Sequence, residues 1–187
     1  MTGGLCCTTI MSPESLERGQ YKTSFEEVVS NAKKNFLADG NHMPTFVIEG
    51  SNNLVIARLQ GLPETHGEKK GILRFLGQQT AMSGKVDQLR QVFMISEAWV
   101  VSANKDELAK TRPLPDPNKK EVLMISGIQI KERKKYIKLF EILRDSNKQV
   151  IGLGEFKANE KKDKEVENPL LDAFISGFRT AFQIKYN

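Results

Sequence analysis

Cysteine is nearly absent, limited to the adjacent pair Cys6 and Cys7. An adjacent pair excludes a disulfide framework. The remaining soft ligands are His42 and His66, at no chelating spacing, so no metal is expected. No staple is needed, because a chain of 187 residues can bury roughly 70% of its unfolded surface as one ordinary domain. Long apolar runs are missing as well, and nothing approaches the ~18 residues of a membrane span. The opening MTGGLCCTTIM has no basic n-region and too short an apolar core for export. It also lacks the helical context that lipidation of its cysteines would need. A soluble, cytoplasmic protein is the expectation.

Several chemical signatures are missing too. There is no GxGxxG or Walker-type phosphate loop; Gly152-Leu153-Gly154 lies within a strand pattern and is followed by no helix. Those glycines read instead as a bulge or a close backbone approach. No Gly-x-Ser-x-Gly nucleophile elbow occurs, and no internal repeat. No cofactor is expected. Tyrosine is limited to Tyr21, Tyr136 and Tyr186, which leaves little for stacking nucleic-acid bases.

What is present centres on 88–103, QLRQVFMISEAWVVSA. Read as a strand, it places Leu89, Gln91, Phe93, Ile95, Glu97, Trp99 and Val101 on one face, and Arg90, Val92, Met94, Ser96, Ala98 and Val100 on the other. Both faces are largely apolar, which predicts a strand in the middle of a sheet with helices over it. A buried helix is the alternative, but β-branched and aromatic residues favour extended backbone.

Around this stretch the chain reads as follows. Residues 1–22 form a poorly ordered lead-in, and 23–187 a single domain. Ser24 and Glu27 make a capping box, and Phe25, Val28, Val29, Ala32, Phe36 and Leu37 recur at helical spacing up to Gly40-Asn41. Strands over 45–49 and 54–60 flank the turn Gly50-Ser51-Asn52-Asn53. A second helix spans about 68–82 behind Thr65, with Ile72, Phe75, Leu76 and Gln79 on one face. Gly71 and Gly77 weaken it by about 1 kcal/mol each. The proline-rich segment 104–118, holding Arg112-Pro113-Leu114-Pro115-Asp116-Pro117, is a stiff extended loop. Strands over 120–130, 135–144 and 149–157 come next, with turns at Glu132-Arg133-Lys134 and Asp145-Ser146-Asn147-Lys148. Residues 159–167 read as a charged connector. Asn168 and Pro169 then open a closing helix striped by Leu170, Leu171, Phe174, Ile175, Phe178, Ala181 and Phe182. The fold class is α+β: one mostly antiparallel sheet of about six strands with helices packed on it, in the order α-β-β-α-β-β-β-β-α.

That order resembles the profilin and Roadblock-like layout, in element order only, which implies no function. Several phrases, His42-Met43-Pro44-Thr45, Ser96-Glu97-Ala98-Trp99, and Arg112-Pro113 through Asp116-Pro117 to Lys119-Lys120-Glu121-Val122, resemble a group of small uncharacterised bacterial and phage-type proteins. No activity is attached to that group, so the resemblance implies no chemistry.

Glu97 is the sharpest candidate residue. A carboxylate between Ile95 and Trp99 is partly desolvated, which suits acid–base work; the plainer reading puts it near a sheet margin or pairs it with Arg112, Lys119 or Lys120. His42 or His66 can act as a base near neutral pH, but either reads more simply as structural or exposed. Lys119, Lys120, Lys131, Arg133, Lys134 and Lys135, with Lys33-Lys34, Lys69-Lys70 and Lys161-Lys162, would contact phosphates if they met on one face. Interleaved acids such as Glu132 argue for ordinary solvated surface. The leading expectation is a non-enzymatic module acting through protein contacts, including self-association as a homodimer. The alternatives are an enzyme with a pocket near Glu97, Trp99, Arg112 and Asp116, and a nucleic-acid accessory protein.

Overall fold

The computed structural model describes residues 8–9, 23–101, 119–156 and 168–186. The loop with Arg112 and Asp116, the connector and almost all of the lead-in lie outside the described residues. The elements run β1 (Thr8–Thr9), α1 (Phe25–Asp39), β2 (Thr45–Glu49), β3 (Leu54–Arg58), α2 (His66–Met82), β4 (Gln91–Val101), β5 (Lys119–Gln129), β6 (Lys134–Arg144), β7 (Val150–Glu155) and α3 (Pro169–Tyr186). All strands of the described residues join one antiparallel sheet in the order β1-β3-β2-β4-β5-β6-β7. The α+β class and the expected order are therefore observed, with the short β1 added at the edge beyond β3.

β4 is the spine of the sheet. It pairs with β2 from Glu49↔Gln91 to Thr45↔Ile95, and with β5 along its whole length. Val28, Val29, Ala32 and Phe36 of α1 pack on one face, against Phe93, Ile95, Leu123, Ile125 and Phe140. α2 and α3 cover the other, against Phe46, Ile48, Val92, Met94 and Ile128. From Gln91 to Ser96 the strand is buried on both sides, as its two apolar faces predict. Trp99 departs from that expectation, being 61% exposed. β2 ends opposite Ile95, so further along β4 has a strand neighbour on one side only.

Local chemistry explains the helix ends. Ser24 Oγ accepts from Glu27 N while Glu27 Oε2 accepts from Ser24 N, and Gly40 closes α1 at φ 72°. Leu37, expected on the inner stripe, is instead exposed. Asn168 Oδ1 accepts from Leu171 N at 3.2 Å behind Pro169, opening α3.

α2 begins at His66, just after its cap Thr65, and its buried face is Leu73, Leu76, Gly77, Thr80 and Ala81. Ile72, Phe75 and Gln79, expected inside, are exposed. The rotation has a steric cause: α2 lies directly against α3 through glycine. A Cβ on Gly77 would sit 2.1 Å from the Phe174 carbonyl oxygen, and one on Gly177 1.9 Å from that of Arg74. The smallest ridge of α2 therefore faces inward, and Gly77 is a crossing point.

Lys148 (φ 63°) and Arg133 (φ 53°) take left-handed backbone in the two late turns. Asp145 Oδ1 accepts from Asn147 N and Gln149 N in the first of these. Register then shifts: Leu143 faces Gly152 while Arg144 faces Val150, which leaves Ile151 as a bulge.

Candidate functional site

Register brings Glu97, Glu121 and Arg144 together on the α1 side of the sheet, where α1 ends. Arg144 donates from Nε and Nη2 to the two oxygens of Glu121, each at 2.7 Å. It also donates to the Lys148 carbonyl oxygen, and its Nη2 lies 3.8 Å from Glu97 Oε2. The other oxygen of Glu97 accepts the backbone N–H of His42. Glu97 thus ties the turn after α1 to the sheet. Its cation is Arg144 from β6; of the candidates read from the sequence, Lys120 pairs with Glu141 at 2.8 Å and Lys119 sits over the Trp99 ring. Arg112 and Asp116 lie outside the described residues. His66 is exposed at the start of α2.

The His42 ring is half-buried, and Nδ1 lies 2.7 Å from the Met43 carbonyl oxygen, so the neutral ring carries its proton there. Burial pushes His42 below its ordinary value, and the Arg144 guanidinium holds Glu121 below the usual carboxylate range. Both contributions to stability are complete above the unfolded values and fade as pH falls through the folded ones. Acidification is expected to destabilise in two steps: the first begins below 6.5 with His42, the second below 4.5 with Glu121. Urea midpoints across that range check this. Glu27 and Asp87, held low by hydrogen bonds from Ser24 and, against burial, from Gln88, Ser51 and Asn52, add to the second step. Arg144→Leu should therefore shrink it, and a second step of unchanged size would contradict the assignment.

The basic residues do not gather on one patch. Lys119 and Lys120 open β5, whereas Lys131, Arg133, Lys134 and Lys135 surround its far end. Eleven residues of strand separate the groups by roughly 30 Å or more. Lys135 pairs with Asp172 of α3 at 3.4 Å, and Lys134 lies over Tyr136.

At the opposite end of the α1-covered face runs a polar row. Tyr136 OH donates to Gln129 Oε1 at 2.8 Å, Gln129 Nε2 to Gln91 Oε1 at 3.3 Å, and Gln91 Nε2 to Glu49 Oε2 at 2.7 Å. Thr23, just before the α1 cap, donates its N–H to Glu49 Oε2 and accepts from Gln91 Nε2. Glu49 and Gln91 are 2% and 3% exposed, yet no cation lies within ion-pair distance of Glu49 among the described residues. Glu49, Gln91 and Gln129 of this row line a cavity of about 810 Å³, together with Leu89 and Ile130 and the charged Arg90, Lys131 and Glu132.

The sheet margin is a third feature. β7 is the outer strand, and Ile151 on it is 67% exposed, with Leu143 on β6 at 42%. Nothing approaches a Cβ built on Gly152 or Gly154 closer than 3.9 Å.

A protein-family profile described as bacteriophage lambda protein ea47 matches residues 8–184. The chain belongs to this family. The match spans β1 to the last turn of α3, so the Ea47 family shares the whole layered domain rather than a fragment of it. Searches of curated proteins and of solved structures give no match. Membership in this phage family accords with the phage-type resemblance of the sequence, and the chemistry must be argued from residues.

Within this Ea47-family chain, the polar row is what sequence reasoning missed. Its signal was there: Gln91 interrupts an otherwise apolar strand face, and Glu49 ends the apolar TFVIE. A polar side chain on a strand buried on both sides must find a partner. Gln129 and Tyr136 became legible as that partner only once β5 and β6 were in register.

Proposed function

We propose that the protein is a non-enzymatic binding module, acting in the cytoplasm, that pairs with a second copy of itself through β7. The observation that carries this reading is the sheet margin, where β7 is the outer strand among the described residues, with exposed Ile151 beside Gly152 and Gly154. An unpaired edge offers a row of backbone donors and acceptors, and strand addition uses them directly. Antiparallel pairing about a two-fold axis can set Ile151 of one copy over Gly154 of the other, where the missing side chain leaves room. Such an interface is self-complementary, as a dimer requires. The Glu97 cluster supports a non-catalytic reading, because its oxygens are engaged by His42 N–H and Arg144. The scarcity of cysteine suits a reducing compartment.

Ile151→Lys is the direct test. It puts a charge at an exposed position, so the fold should hold within about 0.5 kcal/mol, while the dimer dissociation constant should rise at least about tenfold, or roughly 1.4 kcal/mol. Sedimentation equilibrium reads both proteins. A wild-type chain that stays monomeric at micromolar concentration overturns the proposal.

A further inference from the structure

We infer that the cavity beside Glu49 is a binding site for a small zwitterion, with a primary ammonium at its inner end and a carboxylate at its mouth. This rests on the polar row and is independent of pairing through β7.

The inner wall sets the ammonium. Among the described residues only Oε2 of Glu49 takes hydrogen bonds, from Thr23 N and Gln91 Nε2, and Glu49 lines the cavity. A buried carboxylate without a cation is costly, so the group that completes this site is a cation. The Gln91 carboxamide adds to it. Both N–H bonds of Gln91 are spent on Thr23 and Glu49, so it offers only carbonyl oxygen to an incomer. Gln129 aims its amide N–H at the Gln91 carbonyl oxygen and its own carbonyl oxygen the other way, toward Tyr136 OH. Glu49 and the Gln91 carbonyl oxygen present acceptors only at this end, and a primary ammonium carries donors and no acceptor.

The outer end sets the counter-charge. Arg90 and Lys131 line the same cavity, are exposed, and have no ion-pair partner among the described residues. Glu132 lines the cavity too, but the two cations outnumber it, so a carboxylate is drawn to this end more than a second ammonium would be. Leu89 and Ile130 give the apolar stretch between the two ends, and the volume of about 810 Å³ is in the range of small-molecule sites.

The test uses ε-aminocaproate as probe, with hexylamine lacking the carboxylate and caproate lacking the ammonium. Titration calorimetry should show saturable binding of ε-aminocaproate at least about tenfold tighter than either control. The side-chain amide resonances of Gln91 and Gln129 should shift with the same saturation. Glu49→Gln should abolish binding, and Arg90→Ala with Lys131→Ala should weaken ε-aminocaproate toward hexylamine. Because Glu49 also holds Thr23, that variant can fail to fold; the exposed pair then decides. Equal affinity for hexylamine and ε-aminocaproate, unchanged binding in the pair variant, or no saturable binding of the probe overturns the assignment.

Discussion

Alanine at Gly77 or Gly177 is expected to lower the unfolding free energy by about 3 kcal/mol, although alanine favours an isolated helix by about 1 kcal/mol. The obstacle at each position is backbone: the carbonyl oxygens of Phe174 and Arg74, at 2.1 and 1.9 Å from the new methyl. Neither can swing away as a side chain would, so α2 and α3 must separate. Separation opens the layer holding Leu73, Leu76, Phe174 and Phe178, which is why the loss exceeds the propensity gain. Gly71 supplies the control, since nothing lies within 4 Å of a Cβ there. Gly71→Ala should stabilise by roughly 0.5–1 kcal/mol. Urea unfolding of the three variants reads the sign reversal; a stabilised Gly77→Ala would show that the helices do not cross there.

On the other face, Phe93→Ala is expected to cost roughly 3–5 kcal/mol. Phe93 is fully buried, stacks with Phe25 at 6.1 Å and lies over Gly127, where a Cβ would meet its ring at 2.3 Å. The strand partner is glycine because the ring occupies the space a side chain would need. Gly127→Ala should therefore destabilise by about 1–3 kcal/mol in the wild-type background. In Phe93→Leu its cost should shrink, leaving a coupling of at least about 0.5 kcal/mol in a double-mutant cycle. Additive losses would mean that the ring and the glycine do not share one space.

These two sites mark what the sequence could and could not disclose. Alternation along β4 marks it as central, and caps at Ser24, Thr65 and Asn168 locate the three helices of the described residues. Periodicity could not give the rotation of α2, because apolar residues occur on two of its flanks. Ile72 and Phe75 look like a core stripe until Gly77 is seen to meet α3. Trp99 looked interior for a similar reason: the pattern along one strand does not say where its neighbour stops. The site was legible only in part. Glu97 stood out by its flanking residues, but its partner Arg144 lies 47 positions away, on a strand that only sheet register places nearby. Glu49 ends a strand, where an acid is usually solvated, so the sequence alone does not mark it as buried.

Backbone amide exchange along β7 tests the central claim most directly. If two copies pair through this strand, alternate amides from Val150 to Glu155, those turned away from β6, should be protected at high protein concentration and exchange freely on dilution. Amides of β5 should stay protected throughout. Fast exchange of the outward amides at every concentration, with β5 still protected, would show a bare edge and contradict the account.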